Sequence, residues 1–169
     1  MKFMKKTLLG LAGLALATTA MASEPKEQNT DYSYIEIKIG AVSQGAMIDS
    51  LADKDAEVKF GLQAGRRTAI NEKYGLITSL GCGMVGENGF FQGNLEFSAI
   101  KDNFEFYVGP GLRMEIKTDF NVDSYFVPHV GTRWLLSRQN GFYLGAELGT
   151  SIGRDKTGLE GSLGLGIRF

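Results

Sequence analysis

From Tyr32 to the last residue, apolar and polar positions alternate with a period of two, the spacing of a half-buried β-strand. The alternation falls into eight segments, roughly 32–42, 57–68, 74–85, 90–100, 104–117, 124–136, 142–152 and 159–169. Turn-forming stretches separate them, among them Gly86-Glu87-Asn88-Gly89, Lys101-Asp102-Asn103 and Arg138-Gln139-Asn140-Gly141. The longest connector, Ser43 to Ala56, has room for a helical turn around Met47, Ile48 and Leu51; no other stretch has helical spacing. The pattern predicts an all-β chain.

The two faces of these segments differ sharply. One is apolar and free of charge, running for example through Ile35, Ile37 and Ile39, then Leu76 and Leu80, then Phe106 and Val108, then Leu144 and Leu148. Arg66 lies just beyond it, at the end of the second segment. The other face carries Glu36, Lys38, Lys59, Glu96, Glu105, Arg113, Glu115, Lys117, Arg133, Glu147, Glu160 and Arg168, with glycines filling much of the remainder. Bulky aromatics on the apolar face of seven of the eight segments would overfill the interior of a small barrel, whereas glycines fit a tight one, so the apolar face points outward. Aromatic residues also collect at the segment ends: Tyr74, Phe104, Trp134, Phe142 and Phe169 at one rim, Phe60, Phe91 and Phe126 toward the other. Two aromatic girdles around an apolar band are the pattern of a transmembrane barrel. In lipid every backbone group must be paired, which requires the sheet to close. The expectation is an eight-stranded antiparallel up-and-down transmembrane β-barrel. An even strand number places both termini on one side.

The front of the chain is different. Lys2, Lys5 and Lys6 precede an apolar stretch from Leu8 to Ala17, and Ala20-Met21-Ala22 is a small-x-small cleavage site, so residues 1–22 read as a secretory signal peptide. Residues 23–30 read as a flexible periplasmic lead-in, and 31–169 as the barrel domain. Cleavage removes three lysines and no acid, leaving 15 bases against 19 acids, without the basic face a nucleic-acid binder needs. The single cysteine excludes an intramolecular disulfide framework and any cysteine-based zinc site.

The last eight residues, Ser162-Leu163-Gly164-Leu165-Gly166-Ile167-Arg168-Phe169, resemble the C-terminal assembly signal of bacterial outer-membrane barrels, with Ser162, Gly164, Ile167 and Phe169 at its characteristic positions. With the signal peptide and eight segments, the chain resembles the small outer-membrane β-barrel superfamily, including OmpA-type transmembrane domains and opacity- or adhesin-type barrels. That resemblance implies insertion from the periplasm by the barrel assembly machinery, both termini in the periplasm, and outer-membrane lipid and lipopolysaccharide as neighbours. A host or periplasmic protein is a further implied partner. A monomer is expected, with no cofactor, no metal and no enzymatic activity.

Three candidate chemistries remain. His129 is the only histidine and points into the lumen by parity; a lipid A-modifying enzyme would use it as a base, oriented by Glu115 or Glu105, with a lumen serine such as Ser98 as nucleophile. The charged lumen offers either a narrow ion path or a plug of neutralising pairs, and the small bore favours the plug. Asp49, Asp53 and Asp55 match no calcium loop. Cys82 faces lipid and reads as a small apolar residue. Finally, Pro110 and Pro128 share a hairpin around Asp119-Phe120-Asn121. A turn centred near residue 120 sets Pro110 opposite Val130 and Pro128 opposite Leu112, and the missing donors predict a bulge or a weakened seam there.

Overall fold

The computed structural model describes residues 31–44, 56–136, 141–154 and 156–169. The leader, the 23–30 segment and the three loop aspartates lie outside these residues. Ten strands run β1 Tyr32–Gln44, β2 Ala56–Ala69, β3 Tyr74–Val85, β4 Asn88–Lys101, β5 Phe104–Gly109, β6 Gly111–Ile116, β7 Val122–Phe126, β8 His129–Leu135, β9 Phe142–Ile152 and β10 Thr157–Arg168. β5 and β6 continue one another across Pro110, and β7 and β8 across Val127 and Pro128, so the ten strands form eight staves. Each stave is antiparallel to its neighbours, and β10 closes the ring on β1 from Tyr34↔Arg168 to Gln44↔Gly158. The C-terminal residue completes the closure. Phe169 and Ser33 exchange both backbone hydrogen bonds, each 2.9 Å. The fold is a closed eight-stranded antiparallel barrel, with no helix among the described residues.

Parity decides what each side chain meets. Leu80, Leu95, Leu112, Leu144, Leu148 and Leu163 stand on the exterior, while Glu36, Gln63, Glu96, Arg113 and Arg133 are buried in the bore. A soluble protein does not expose a continuous belt of this kind, and a closed sheet with an apolar exterior is the form that crosses a bilayer.

The proline hairpin departs from the sequence reading. Its turn is centred on Asp119, not 120: Lys117 N–H donates to the Asn121 carbonyl at 2.9 Å and Phe120 N–H to the Lys117 carbonyl at 3.0 Å. The register is therefore Val108↔Val130 and Leu112↔Phe126, which sets Pro110 directly opposite Pro128. Gly111 and Val127 exchange both backbone bonds, at 2.9 and 2.8 Å, so the seam between the two prolines keeps its ladder. The missing donors face the outer neighbours instead. The Pro110 carbonyl accepts from Leu95 N–H and the Pro128 carbonyl from Thr150 N–H, both at 3.0 Å, with no return bond from either proline. Register is unchanged across both prolines, Phe97↔Val108 and Gly93↔Leu112 on one side, His129↔Gly149 and Phe126↔Ile152 on the other, so no bulge forms. Gly109 makes the flush passage possible, because a Cβ there would run into the Leu95 carbonyl.

Candidate functional site: the charged bore

The bore is layered. Near the chain termini lies a buried cluster of Tyr34, Ile77, Tyr107, Leu135 and Tyr143, and a second cluster of Val42, Val85 and Phe90 lies toward the opposite end. Polarity reasoning alone describes the inner face as polar and small, and these residues are its omission. Each tyrosine of the first cluster has a glycine directly across the ladder: Tyr34↔Gly65, Tyr107↔Gly131, Tyr143↔Gly166. A Cβ on any of the three glycines would collide with the facing ring. The glycines are thus the space that the rings occupy, a cross-strand pairing of large with absent side chains.

Arg133 is the hub. Its guanidinium carbon lies 4.2 Å from the Tyr34 ring centroid, 4.4 Å from Tyr107 and 5.8 Å from Tyr143. Three carboxylates surround it, Glu105 at 3.4 Å, Glu36 at 3.5 Å and Glu96 at 3.9 Å. Glu105 also takes Arg67 at 3.1 Å and the Tyr32 hydroxyl. Arg67, wholly buried, is a site residue the sequence reading missed. The signal was available, since its neighbour Arg66 keeps the outward parity and Arg67 must then face in.

Toward the middle, Lys38 pairs with Glu147 at 2.6 Å, and the Tyr107 hydroxyl donates to the same carboxylate at 3.1 Å. A neutral belt follows, in which Gln63 donates to the Tyr34 hydroxyl and to Ser79, each at 2.9 Å, and Asn94 donates to Ser79 at 3.0 Å. Toward the far end, Lys59 pairs with Glu160 at 2.7 Å, and Arg113 joins Glu160 at 2.5 Å and Glu115 at 2.9 Å. The Arg67–Glu105 and Arg113–Glu115 approaches are ion pairs whose angles fall short of hydrogen bonds. Two residues assigned to the network lie at its margins. Lys117 pairs with Asp123 at 2.8 Å at the rim, each side chain 35% exposed, and Arg168 stacks over Tyr32 near the termini.

His129 sits in this network and not in a triad. Its Nδ1 lies 2.9 Å from the Val127 carbonyl and its Nε2 2.9 Å from Glu96. Both ring nitrogens are thus engaged inside the network, by a backbone carbonyl on one side and a carboxylate on the other. The orienting acid suggested by sequence was Glu115 or Glu105. Glu115 belongs to Arg113, Glu105 to Arg67 and Arg133, and Ser98 accepts from Arg67 at 2.9 Å. These residues do not assemble into a nucleophilic site. Glu96, His129 and Glu147 bring three ligand-capable atoms within 4.8 Å of one another. Lys38 and Arg133 already engage the two carboxylates, so a dication would meet two fixed cations there. The bore network holds five buried glutamates, Glu36, Glu96, Glu105, Glu115 and Glu160, the half-buried Glu147, and five buried cations, Lys38, Lys59, Arg67, Arg113 and Arg133.

The aromatic girdle residues all stand outside. Phe104 stacks on Trp134 with centroids 6.0 Å apart, and Tyr74 on Phe97 at 5.6 Å. Phe60, Phe91, Phe126, Phe142 and Phe169 are exposed on the same exterior. Of the terminal residues, Gly164 gives the Glu36 carboxylate its space, Ser162 faces Gly40 and Glu147 across the two adjoining seams, and Ile167 and Phe169 point outward.

No family model matches the chain, and no curated protein sequence matches it either. Solved structures do. The crystal structure of Ail, the attachment invasion locus protein of Yersinia pestis, superposes with a TM-score of 0.52 at 19% identity, covering 82% of this chain and 98% of Ail. The same protein in complex with the heparin analogue sucrose octasulfate gives 0.53 at 17% identity, covering 82% and 99%. The N-terminal β-barrel domain of Pseudomonas aeruginosa OprF gives 0.48 at 17% identity, covering 79% and 97%. The chain has the fold of the small eight-stranded outer-membrane β-barrels. At these identities the likeness is one of fold.

Proposed function

We propose that this protein is a non-conducting barrel of the outer membrane, without enzymatic activity, that anchors an interaction surface at the rim opposite its termini, with both termini in the periplasm. One observation supports the reading: Arg133 stands at the centre of the bore among three carboxylates and three tyrosines, and apolar clusters lie toward either end. A sealed lumen leaves the work to the exterior and the rim.

The rim supports this. Alternation from the doubly bonded Gly111–Val127 pair turns the backbone N–H and C=O groups of Val122 and Ser124 away from β6. On that side β7 meets β9 only at Phe126↔Ile152, because β9 ends there. A short strand edge therefore stands above the wall, flanked by outward Phe120 and Val122. Such an edge suits an extended segment of a partner protein, which adds as a further strand. Ail, the attachment invasion locus protein, has a similar framework.

Insertion by the barrel assembly machinery through the last strand belongs to the same reading. Removing Phe169 lowers the amount in the outer membrane more than the roughly 1.5–3 kcal/mol of one buried phenylalanine explains. Conductance across a planar bilayer tests the sealed bore. No stepwise current is expected, and reproducible steps would replace this reading with a narrow channel. Lipid A mass spectra of cells with and without the gene stay the same; a difference that depends on His129 would restore the enzyme.

A further inference from the structure

Arg66 interrupts the apolar exterior. It lies within β2, three residues before the strand ends at Ala69, faces outward, is exposed, and makes no salt bridge among the described residues. Its register partner is Thr78 on β3, and Thr78 in turn faces Leu95 on β4. Thr78 and Leu95 border an exterior groove of about 590 Å³ that also runs past Leu80, Gly93, Pro110 and Leu112. Gly93 is its floor. It pairs with Leu80 on one side and Leu112 on the other, and a Cβ built on it would touch only Leu80, at 3.5 Å, and the Ser79 carbonyl, at 4.0 Å.

The dimensions select an occupant. The two leucines stand two strand spacings apart, about 9.6 Å between backbones, which leaves room for one hydrocarbon chain between their side chains. A helix about 10–12 Å across does not enter. A guanidinium on a lipid-facing wall is tolerated where it reaches the headgroup layer, and phosphate is the anion its fork pairs with there. Gly93 lies two strands across and two residues along from Arg66, roughly 12 Å, within the reach of a single lipid. We infer that Arg66 and the Gly93 groove form a seat for one phospholipid of the leaflet nearer the chain termini, its phosphate on Arg66 and one acyl chain along Gly93.

Native mass spectrometry of the folded full-length barrel, titrated with phosphatidylglycerol, tests the seat. Each variant is first shown to be folded by its altered gel migration before boiling. The wild-type barrel retains one lipid, and Arg66→Gln and Gly93→Leu each weaken that retention at least about fivefold. Gly161→Leu, the same change at another outward glycine whose Cβ would touch Leu148 at 3.4 Å, leaves it unchanged. Inorganic phosphate does not compete. Undiminished retention in either Arg66→Gln or Gly93→Leu overturns the inference. So does competition by inorganic phosphate, which would reduce the site to an anion site, and so does a dimer that Gly93→Leu dissociates, which would assign the groove to a second copy.

Discussion

Replacing Arg133 with methionine keeps most of the apolar bulk at the centre of the bore and removes its charge. Glu36 then loses its only salt bridge among the described residues, at 3.5 Å, and keeps just the Tyr143 hydroxyl, which donates at 3.2 Å. Glu96 retains His129 and Glu105 retains Arg67, so the damage concentrates on one carboxylate that is 1% exposed. Breaking a buried pair from one side costs about 3–5 kcal/mol, because the surviving charge is stranded. The lost ring stacking, about 0.5–2 kcal/mol per contact, falls within that range because the terms are not additive. Adding Glu36→Gln removes the stranded charge and leaves an acceptor for Tyr143, so the double variant should recover at least about 1.5 kcal/mol. Urea unfolding from lipid vesicles reads both values through Trp134, the only tryptophan, which stands on the exterior at 46% exposure. A loss below about 1 kcal/mol for Arg133→Met, or no recovery in the double variant, would mean that Arg133 is not the electrostatic hub of the bore.

Leu144→Arg, on the exterior, should destabilise the barrel by roughly 2–4 kcal/mol in the same vesicle assay, as expected for an arginine facing lipid near the midplane. Phe120 holds φ 66 at the hairpin tip, a conformation that costs a bulky residue about 1–2 kcal/mol, so Phe120→Gly should slow amide exchange at Lys117 and Asn121 while weakening partner binding. Asp119 accepts hydrogen bonds from the backbone N–H and side chain of Asn121, which hold its carboxyl below the ordinary range. That contribution to the turn is complete above about pH 3.9 and disappears as pH falls through the lowered value, which an NMR titration of the Asn121 amide would follow. Leu95 and Thr150 each bond to a proline that returns nothing, so their amides should exchange faster than that of Leu112 in the same part of the wall; equal protection would mean the neighbouring ladder makes up the loss.

The wall was legible from the chain because lipid imposes one rule on every strand. Outward positions in hydrocarbon must be apolar and inward positions need not be, so the period-two pattern runs along every strand, broken by charge only at Arg66 near the end of β2, and the eight segments match the staves to within a few residues. Closure followed from the absence of any place for an edge in hydrocarbon. The proline register was less legible. One residue at the turn centre decides whether Pro110 faces Val130 or Pro128, and the type I turn over Thr118 and Asp119, with Phe120 in the left-handed position where glycine is usual, gives no sequence cue.

The bore was legible in composition and illegible in geometry. Charge and parity place Glu36, Lys38, Lys59, Glu96, Arg113, Arg133 and Glu160 inside, but pairing depends on which side chains meet across the lumen, and strand order alone does not say how far each one reaches. His129 illustrates this. Sequence offers six glutamates as partners, and the choice of Glu96 comes from the β4 and β8 staves facing the same level of the bore through the short β5. The tyrosines were hidden for a different reason. A reading that treats inward glycines as filler for a narrow interior sees vacancy at Gly65, Gly131 and Gly166, whereas each is the complement of a ring one strand away. An inward glycine with a tyrosine at its register partner marks an aromatic laid across the bore. Three such pairs stand around one arginine, where guanidinium, rings and carboxylates share the centre of the bore.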